Sequence, residues 1–556
     1  NVLLIHRLFT QQLDFIHVAR EYIDLRDVHE ILRRTIFPQN SHGQLGGKSA
    51  GLFLAAQILK RFSAETPDLA RVRIPKTWYI TSDGLQTFLT HNDLEEILDQ
   101  KYKAIEQIRD EYPNIVQIFK NSSFPEQIVN WLGTCLDDFG EVPIIVRSFS
   151  LLEDRTGTSF SGEYKSLFLA NQGSKAERLA ALIDAIAEVY ASVFGPDPIE
   201  YRRERGLTDF HEEMGIMIQE VVGSRVGRYY FPQFAGVAFS NNELRWSPRI
   251  RREDGLLRMV PGLGTRAVDR LSDDFPQLFA PGQPNLRVNV AVDEVLHYSP
   301  RQIDVIDLAS NSFATVDLED LLREVGEAYP GVERIFSVHA DGHLSVRNRL
   351  AVDFARDELV ATFEGVVADG SFFRDMRALL TLLRERLGRP ADLEFAVHDG
   401  HIYVLQCRSQ SSAADDRPVP IPAELPAERV LFNARKYVSN GRVPPIRHVV
   451  LGARGSSGRS LRRRPDRGDV SITSGGTRRR PRGFRRRGRR GGRRPSLPSR
   501  PAAPGAGRSS RAWRCRRSGR GRRRGRRGPS GGDRTRKPAG RRGGGRGPPP
   551  ARPPRR

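Results

Sequence analysis

Cysteine is scarce: Cys135, Cys407 and Cys515 are the only three in 556 residues. Three thiols supply neither a disulfide framework nor a zinc site, and their reduced use points to a reducing compartment. Long apolar runs are also missing. No stretch approaches the roughly 18 apolar residues of a membrane-spanning helix, and no signal peptide precedes the first element. Hydrophobic content is 38%, low for a wholly globular chain of two to four domains. Acidic residues nearly vanish from one region. From Leu451 to Arg556, 38 Lys and Arg stand against 3 Asp and Glu, which leaves 51 against 63 for residues 1–450. The overall charge of +23 therefore belongs to the tail. The body is mildly acidic, as expected of a cytoplasmic enzyme, and offers no basis for a nucleic-acid function.

Lysine is missing from the tail as well, with Lys537 alone among its 38 basic residues. Selection for charge would not discriminate so strongly between lysine and arginine. Arg, Gly, Pro, Ala and Ser are what GC-rich DNA yields out of frame, so residues 451–556 are read as a disordered basic tail produced by a frameshift. The alternative is an arginine-rich arm that binds RNA or DNA non-specifically through phosphates. In either case it cannot bury a core. The chain opens at Asn1 inside an amphipathic pattern (Phe9, Leu13, Ile16, Ala19, Ile23), and a fragment whose true start lies upstream is expected.

What is present is a set of polar motifs at the ends of β-like runs. Residues 391–408 hold two period-2 runs flanking Asp399-Gly400, a β-hairpin pattern. Asp392 and Glu394 alternate with apolar residues on one strand, Gln406 and Arg408 on the other. A two-residue loop would pair His398 with His401 and set Asp392 opposite Cys407, splitting the polar groups between faces. A three-residue loop with Gly400 as an αL bulge would set Asp392 opposite Gln406 and bring all four to one face. The three-residue loop is the expectation. Two carboxylates at i and i+2 are hard oxygen ligands for Mg²⁺, and the arginine and amide suit phosphate oxygens. An edge hairpin with one solvated face is the competing reading.

Upstream, Gly43-Gln44-Leu45-Gly46-Gly47-Lys48-Ser49 opens a helix running to about Phe62, where backbone N–H groups and Lys48 could meet an anion. It is not a P-loop, because the first glycine would fall at His42 and no strand leads in. Residues 72–80 are predicted as one strand, with Thr81-Ser82-Asp83 capping the next helix. A buried strand over 142–146 delivers Arg147-Ser148 to a polar loop, Glu153 to Gly162. Residues 215–222 form another β run. Strands at 236–240 and 256–260 precede Pro261-Gly262-Leu263-Gly264, and a helix at about 370–388 leads into the hairpin.

This ordered set, Gly-Gly-Lys, Val-Arg-Ser with Glu-Asp and Ser-Phe-Ser-Gly, Gly-Leu-Gly, then Asp-x-Glu with Leu-Gln-x-Arg, resembles the ATP-binding domain of the pyruvate phosphate dikinase and phosphoenolpyruvate synthase family over about residues 43–410. The resemblance implies a mixed α/β (α+β) fold of the two-lobed ATP-grasp type using ATP and Mg²⁺. It implies that Lys48 and Arg147 contact the triphosphate, that Ser161 and Gly162 belong to the loop covering it, and that Gln219, Glu220 and Val222 flank adenine. Gln406 and Arg408 would hold phosphate, and Asp392 and Glu394 the metal. It further implies phosphoryl transfer toward a histidine on a partner domain. A non-catalytic nucleotide-binding module is the alternative, because Arg258, Met259 and Thr265 stand around the Gly-Leu-Gly turn where synthases often carry acids. Neither a Thr-Ser-His-Ala phosphohistidine motif nor a phosphoenolpyruvate-binding barrel is recognisable. The organisation expected is a helical segment (1–42), a first part (43–235) and a second part (236–410) of the ATP-binding domain, a Pro-rich connector (411–450) and the tail (451–556).

Overall fold

The computed structural model describes residues 2–410, apart from 64, 151–163, 211, 269–273 and 347–351, together with 438–439. Of the two compact units in the chain, 1–473 and 474–556, all described residues belong to the first. Its architecture is mixed α/β, with fifteen α-helices and several sheets among the described residues.

The first sheet has five strands in the order Thr35–Ile36, Thr77–Ile80, Met214–Glu220, Ile144–Ser150, Ser166–Leu169. Strand alternation divides its two faces. Ile144, Val146, Ile216, Ile218, Trp78 and Ile80 enter a core with the helices Ile105–Asn121, Glu126–Phe139 and Lys175–Ala191. Ile145, Arg147 and Gln219 point the other way, toward the second sheet. That sheet has six strands: Gln277–Phe279, Leu256–Pro261, Phe234–Phe239, Ala391–His398, His401–Ser409 and Val72–Arg73. Leu393, Phe395, Ala238, Leu257 and Met259 on one face join a core with the helix Ser371–Leu387. The opposite face carries Asp392, Glu394, Val237 and Arg258, as the pairings Glu394–Val237 and Arg258–Val237 require. Two smaller sheets, of four and three strands, also lie within 224–361.

Several expectations need correction. Residues 72–80 form two strands, not one: Val72–Arg73 joins the second sheet and Thr77–Ile80 the first. Pro75 sits at the break, where it cannot donate a ladder hydrogen bond. Asp83 precedes the helix Gly84–His91 but gives it no side-chain cap. Its carboxylate instead accepts from Ser41 Oγ at 3.0 Å and the His42 amide at 2.8 Å, pinning the approach to the glycine-rich loop. The first 42 residues hold three helices whose Ile5, Leu8, Ile16, Tyr22 and Ile31 share one core with the hairpin. One 18-residue window within 175–204 reaches a mean hydropathy of 1.4, enough by length and composition for a membrane span, but 61% of that window is buried. A 3₁₀ turn at Ser192–Phe194 and Pro196 interrupt the stretch, and its apolar side completes the first sheet's core.

Candidate functional site

The strand Ile144–Ser150, the hairpin, the glycine-rich loop, residues 219–222 and the Gly262-Leu263-Gly264 turn border one cleft of about 300 Å³. The loop arrives through backbone permissiveness. Gly47 adopts φ 60° as the helix Gly47–Phe62 opens. One turn later, Gly51 lets that helix lie against the hairpin, since a Cβ there would stand 2.1 Å from the Cys407 carbonyl oxygen. Lys48 is thereby carried to the cleft, where Nζ donates to the Ser148 carbonyl at 3.0 Å.

The hairpin turn differs from expectation. His398 pairs with His401, so the loop has two residues, Asp399 and Gly400, with φ of 48° and 71°. Two successive positive φ values are the type I′ signature of an Asp-Gly turn, whose twist matches that of the strands. Yet Asp392 does not face Cys407. The register shifts between Glu394 and Phe395: Phe395 pairs with Val404 and Glu394 with Gln406, leaving Leu405 as the extra residue of a β-bulge. Asp392 therefore faces Arg408, not Gln406, and all four polar side chains share one face after all. The bulge does the job expected of a longer turn.

Across the cleft, Arg147 is 8% exposed. Its Nη2 donates to Glu394 Oε2 at 2.5 Å and to Gln406 Oε1 at 2.9 Å. Its Nε is buried without a hydrogen-bond partner among the described residues. Arg408 donates to Asp392 Oδ2 from Nε at 2.7 Å and lies 2.6 Å from it through Nη2. Burial acts against the charge on Glu394, but Arg147, Lys48 and Arg408 together outweigh it and hold the carboxyl below its usual range. For Asp392 burial wins over Arg408, and the carboxyl is pushed up. Two carboxylates two residues apart are thus shifted in opposite directions.

Gln219, Glu220 and Val222 also line the cleft. Gln219 Nε2 donates to Thr77 Oγ1 at 3.2 Å and the Leu405 carbonyl at 3.4 Å. The Glu220 and Val221 amides are committed to the Lys76 and Pro143 carbonyls. Ser161 and Gly162 lie outside the described residues.

Two features were not legible in the sequence. Asp304, 39 residues beyond Thr265, meets the Gly-Leu-Gly turn: its carbonyl accepts from the Leu263 amide at 3.0 Å, and its carboxylate accepts from Thr265 Oγ1. That carboxylate also accepts from Thr315 Oγ1 at 2.6 Å and sits 3.6 Å from Arg266 Nη1, so it braces the turn. At the end of the Arg147 strand, Ser150 donates to buried Glu212, which pairs with Arg202 Nη1 at 2.9 Å. Only long-range packing joins these residues, and no spacing rule finds them.

The chemistry of the donor set can be stated. Asp392, Glu394 and Gln406 present hard oxygens, and no group of three or more His, Cys, Asp or Glu that could hold a metal occurs among the described residues. Mg²⁺, which takes one or two carboxylates and completes its shell with phosphate oxygens and water, fits such a set. Arg147, Lys48 and Arg408 supply the cations that phosphate requires.

Residues 42–428 match the pyruvate phosphate dikinase, AMP/ATP-binding domain family. Among curated proteins, the chain is 24% identical over 192 residues to rifampicin phosphotransferase of Bacillus subtilis, covering 34% of this chain and 21% of that protein. It is 22% identical over 386 residues to phosphoenolpyruvate synthase of Neisseria meningitidis, covering 66% of this chain and 40% of the relative. With a probable phosphoenolpyruvate synthase of Archaeoglobus fulgidus it shares 20% over 274 residues, 49% of this chain and 28% of the relative. The chain thus spans well under half the length of these relatives. The family match covers most of the chain, including the Gly-Gly-Lys loop, Arg147 and the hairpin, and the chain belongs to the pyruvate phosphate dikinase AMP/ATP-binding domain family.

Proposed function

We propose that this chain is an ATP-grasp phosphotransferase domain that binds Mg-ATP in the cleft and passes a phosphoryl group toward a histidine on a separate acceptor domain. The observation carrying this reading is Arg147 Nη2 held between Glu394 and Gln406, with Lys48 beside the same strand. Phosphoryl transfer needs positioning and charge neutralisation more than covalent chemistry from the protein. Arg147 Nε, without a hydrogen-bond partner among the described residues, would be the donor to a phosphate oxygen. Asp392 and Glu394 are the residues that would hold Mg²⁺, which would supply positive charge to offset the phosphates. Gln406 orients Arg147 through its Oε1, and Arg408 sets the rotamer of Asp392. Gln219 to Val222 form the base end.

The test is Mg²⁺-dependent consumption of ATP by the full chain, alone and with a phosphohistidine domain supplied in trans. Turnover, and label on the acceptor histidine, should vanish when Asp392→Asn and Glu394→Gln are combined. The chain alone should make no phosphoenolpyruvate from pyruvate. The second reading, a non-catalytic nucleotide-binding module, is favoured by Thr265, which stands beside the cleft tied to Asp304 and brings no acid of its own. Tight ATP binding with no turnover in either assay would select it.

A further inference from the structure

The strand Ser166–Leu169 is the edge of the first sheet, so among the described residues no further strand of that sheet covers its outer side. Alternation divides its side chains. Leu167 and Leu169 join the core with the helices, whereas Phe168, paired with Ile145, turns to the cleft that both residues line. There Ile145 and Phe168 form one apolar cluster with Val221 and Leu263, beside the residues 219–222 of the cleft wall.

The same cluster draws in the four-stranded sheet. Ile306, on the strand Gln302–Asp307, is fully buried in it, and Tyr230 Oη donates to the Val221 carbonyl at 3.2 Å. The register partner of Ile306 on the edge strand Ser312–Asp317 is Phe313. Phe313 shares a face of that strand with Thr315, whose Oγ1 donates to the Asp304 carboxylate that braces the Gly-Leu-Gly turn. From this face Phe313 reaches the other sheet: its ring stacks on Phe168, with centroids 5.3 Å and planes 19° apart. It stays 39% exposed, so burial of its own surface is not what the contact chiefly achieves. A phenylalanine on an edge strand has no neighbouring strand to restrain its ring on the outer side, and stacking on a second ring supplies that restraint. A flat ligand group loses less on meeting a ring already fixed than on meeting one that must be ordered at the moment of binding.

We propose that Phe313 is a positioning residue for the nucleobase: stacked on Phe168, it holds that ring as an aromatic wall of the cleft, and the chain thereby prefers a nucleoside triphosphate to a bare polyphosphate. Phe313 acts through Phe168 and does not itself line the cleft. The inference rests on the ATP reading and adds to it, since Arg147, Lys48 and the hairpin polar groups address the phosphates and metal alone.

The test compares two ligands by calorimetry, each with Mg²⁺ at physiological salt: a non-hydrolysable ATP analogue and inorganic tripolyphosphate, which has no base. They are titrated into the full chain and its Phe313→Ala, Phe313→Leu and Phe313→Tyr variants. Phe313→Ala should weaken the ATP analogue about three- to tenfold, the worth of one aromatic pair, and leave tripolyphosphate unchanged. Phe313→Tyr, which keeps the stacked ring, should bind both ligands as the wild type does. Phe313→Leu is apolar but not flat; it should show the alanine pattern, and it decides the question should the alanine variant not fold. The arginine-rich tail is common to all four chains and meets phosphates only, so it cannot produce a difference between the ligands. Equal weakening of both ligands would make the stack a merely structural tie between sheets, and an unchanged ATP analogue would deny it any part in binding; either result overturns the proposal while leaving the ATP reading intact. Failure of the wild-type chain to bind the ATP analogue overturns both.

Discussion

Arg147 and Glu394 face one another at 2.5 Å, and on the proposed reading each meets one half of Mg-ATP. Replacing Arg147 with Ala should weaken ATP binding by about 1–3 kcal/mol, the range for a charged hydrogen bond, as read by calorimetry. Unchanged affinity would remove Arg147 from the site. Asp392 carries a different expectation. Its carboxyl is raised by burial, so its ionised form opposes folding at neutral pH, and that opposition is relieved as pH falls through the raised value toward about 3.9. The Glu394 carboxyl is depressed; its contribution to stability is present above about 4.3 and lost as pH falls through the lower folded value. Asp392→Asn should therefore leave the thermal midpoint at pH 7 unchanged or higher, with the difference shrinking toward about pH 4. Arg408, whose side chain is 40% exposed, can turn to water when its partner loses charge. A large loss of stability at pH 7 would show the pair to be structural. The residue identities of this site were readable in the sequence because each is a charged or amide group at a strand end or Gly-rich turn. Their pairing was not, since it depends on which strand lies opposite which.

At the scale of elements, the hairpin is the clearest case of a right conclusion reached by the wrong geometry. Period-2 alternation and Asp399-Gly400 announced the hairpin and its turn residues. The β-bulge at Leu405 left no mark in the pattern, because an extra apolar residue between Val404 and Gln406 reads as ordinary alternation noise. Deleting Leu405 should remove the bulge and leave a plain ladder in which Glu394 still faces Gln406 and Asp392 still faces Arg408. Retained ATP affinity in a folded deletion variant is the expected result; loss of affinity would show that the bend of the bulge, and not the shared face alone, shapes the site. The helix Gly47–Phe62 makes a second test. Gly51→Ala places a methyl group against the Cys407 carbonyl, forcing helix and hairpin apart at a cost of about 1–3 kcal/mol. Thermal denaturation and ATP titration should both register it, and a neutral substitution would contradict the close approach. Asp83 shows where local rules mislead: it has the position of a helix cap but spends its carboxylate on residues 41 and 42, which only tertiary packing brings near.

For the molecule as a whole, the sequence located the motif-bearing strands and the family, but not the two small sheets within 224–361 or the joining of the N-terminal helices to the hairpin's core. Those contacts rest on generic apolar residues, whose partners no local pattern specifies. Residues 451–556 are too poor in apolar side chains to offset an ordering cost of about 1–2 kcal/mol per residue. A chain stopped at Val450 should therefore keep its thermal midpoint and ATP affinity and lose only salt-sensitive, sequence-independent nucleic-acid binding. A lower midpoint on truncation would mean that the tail packs on the domain.

The central claim is that Arg147 and the hairpin carboxylates share one Mg-ATP. Each ligand half should release an ion pair for the other, so Mg²⁺ and nucleotide ought to bind cooperatively. The direct measurement is calorimetric titration of a non-hydrolysable ATP analogue into the full chain and its Glu394→Gln variant, each with and without Mg²⁺. The predicted result is a gain of about tenfold or more from Mg²⁺ in the wild type that largely disappears in the variant. An equal gain in both, or none in either, would contradict the account.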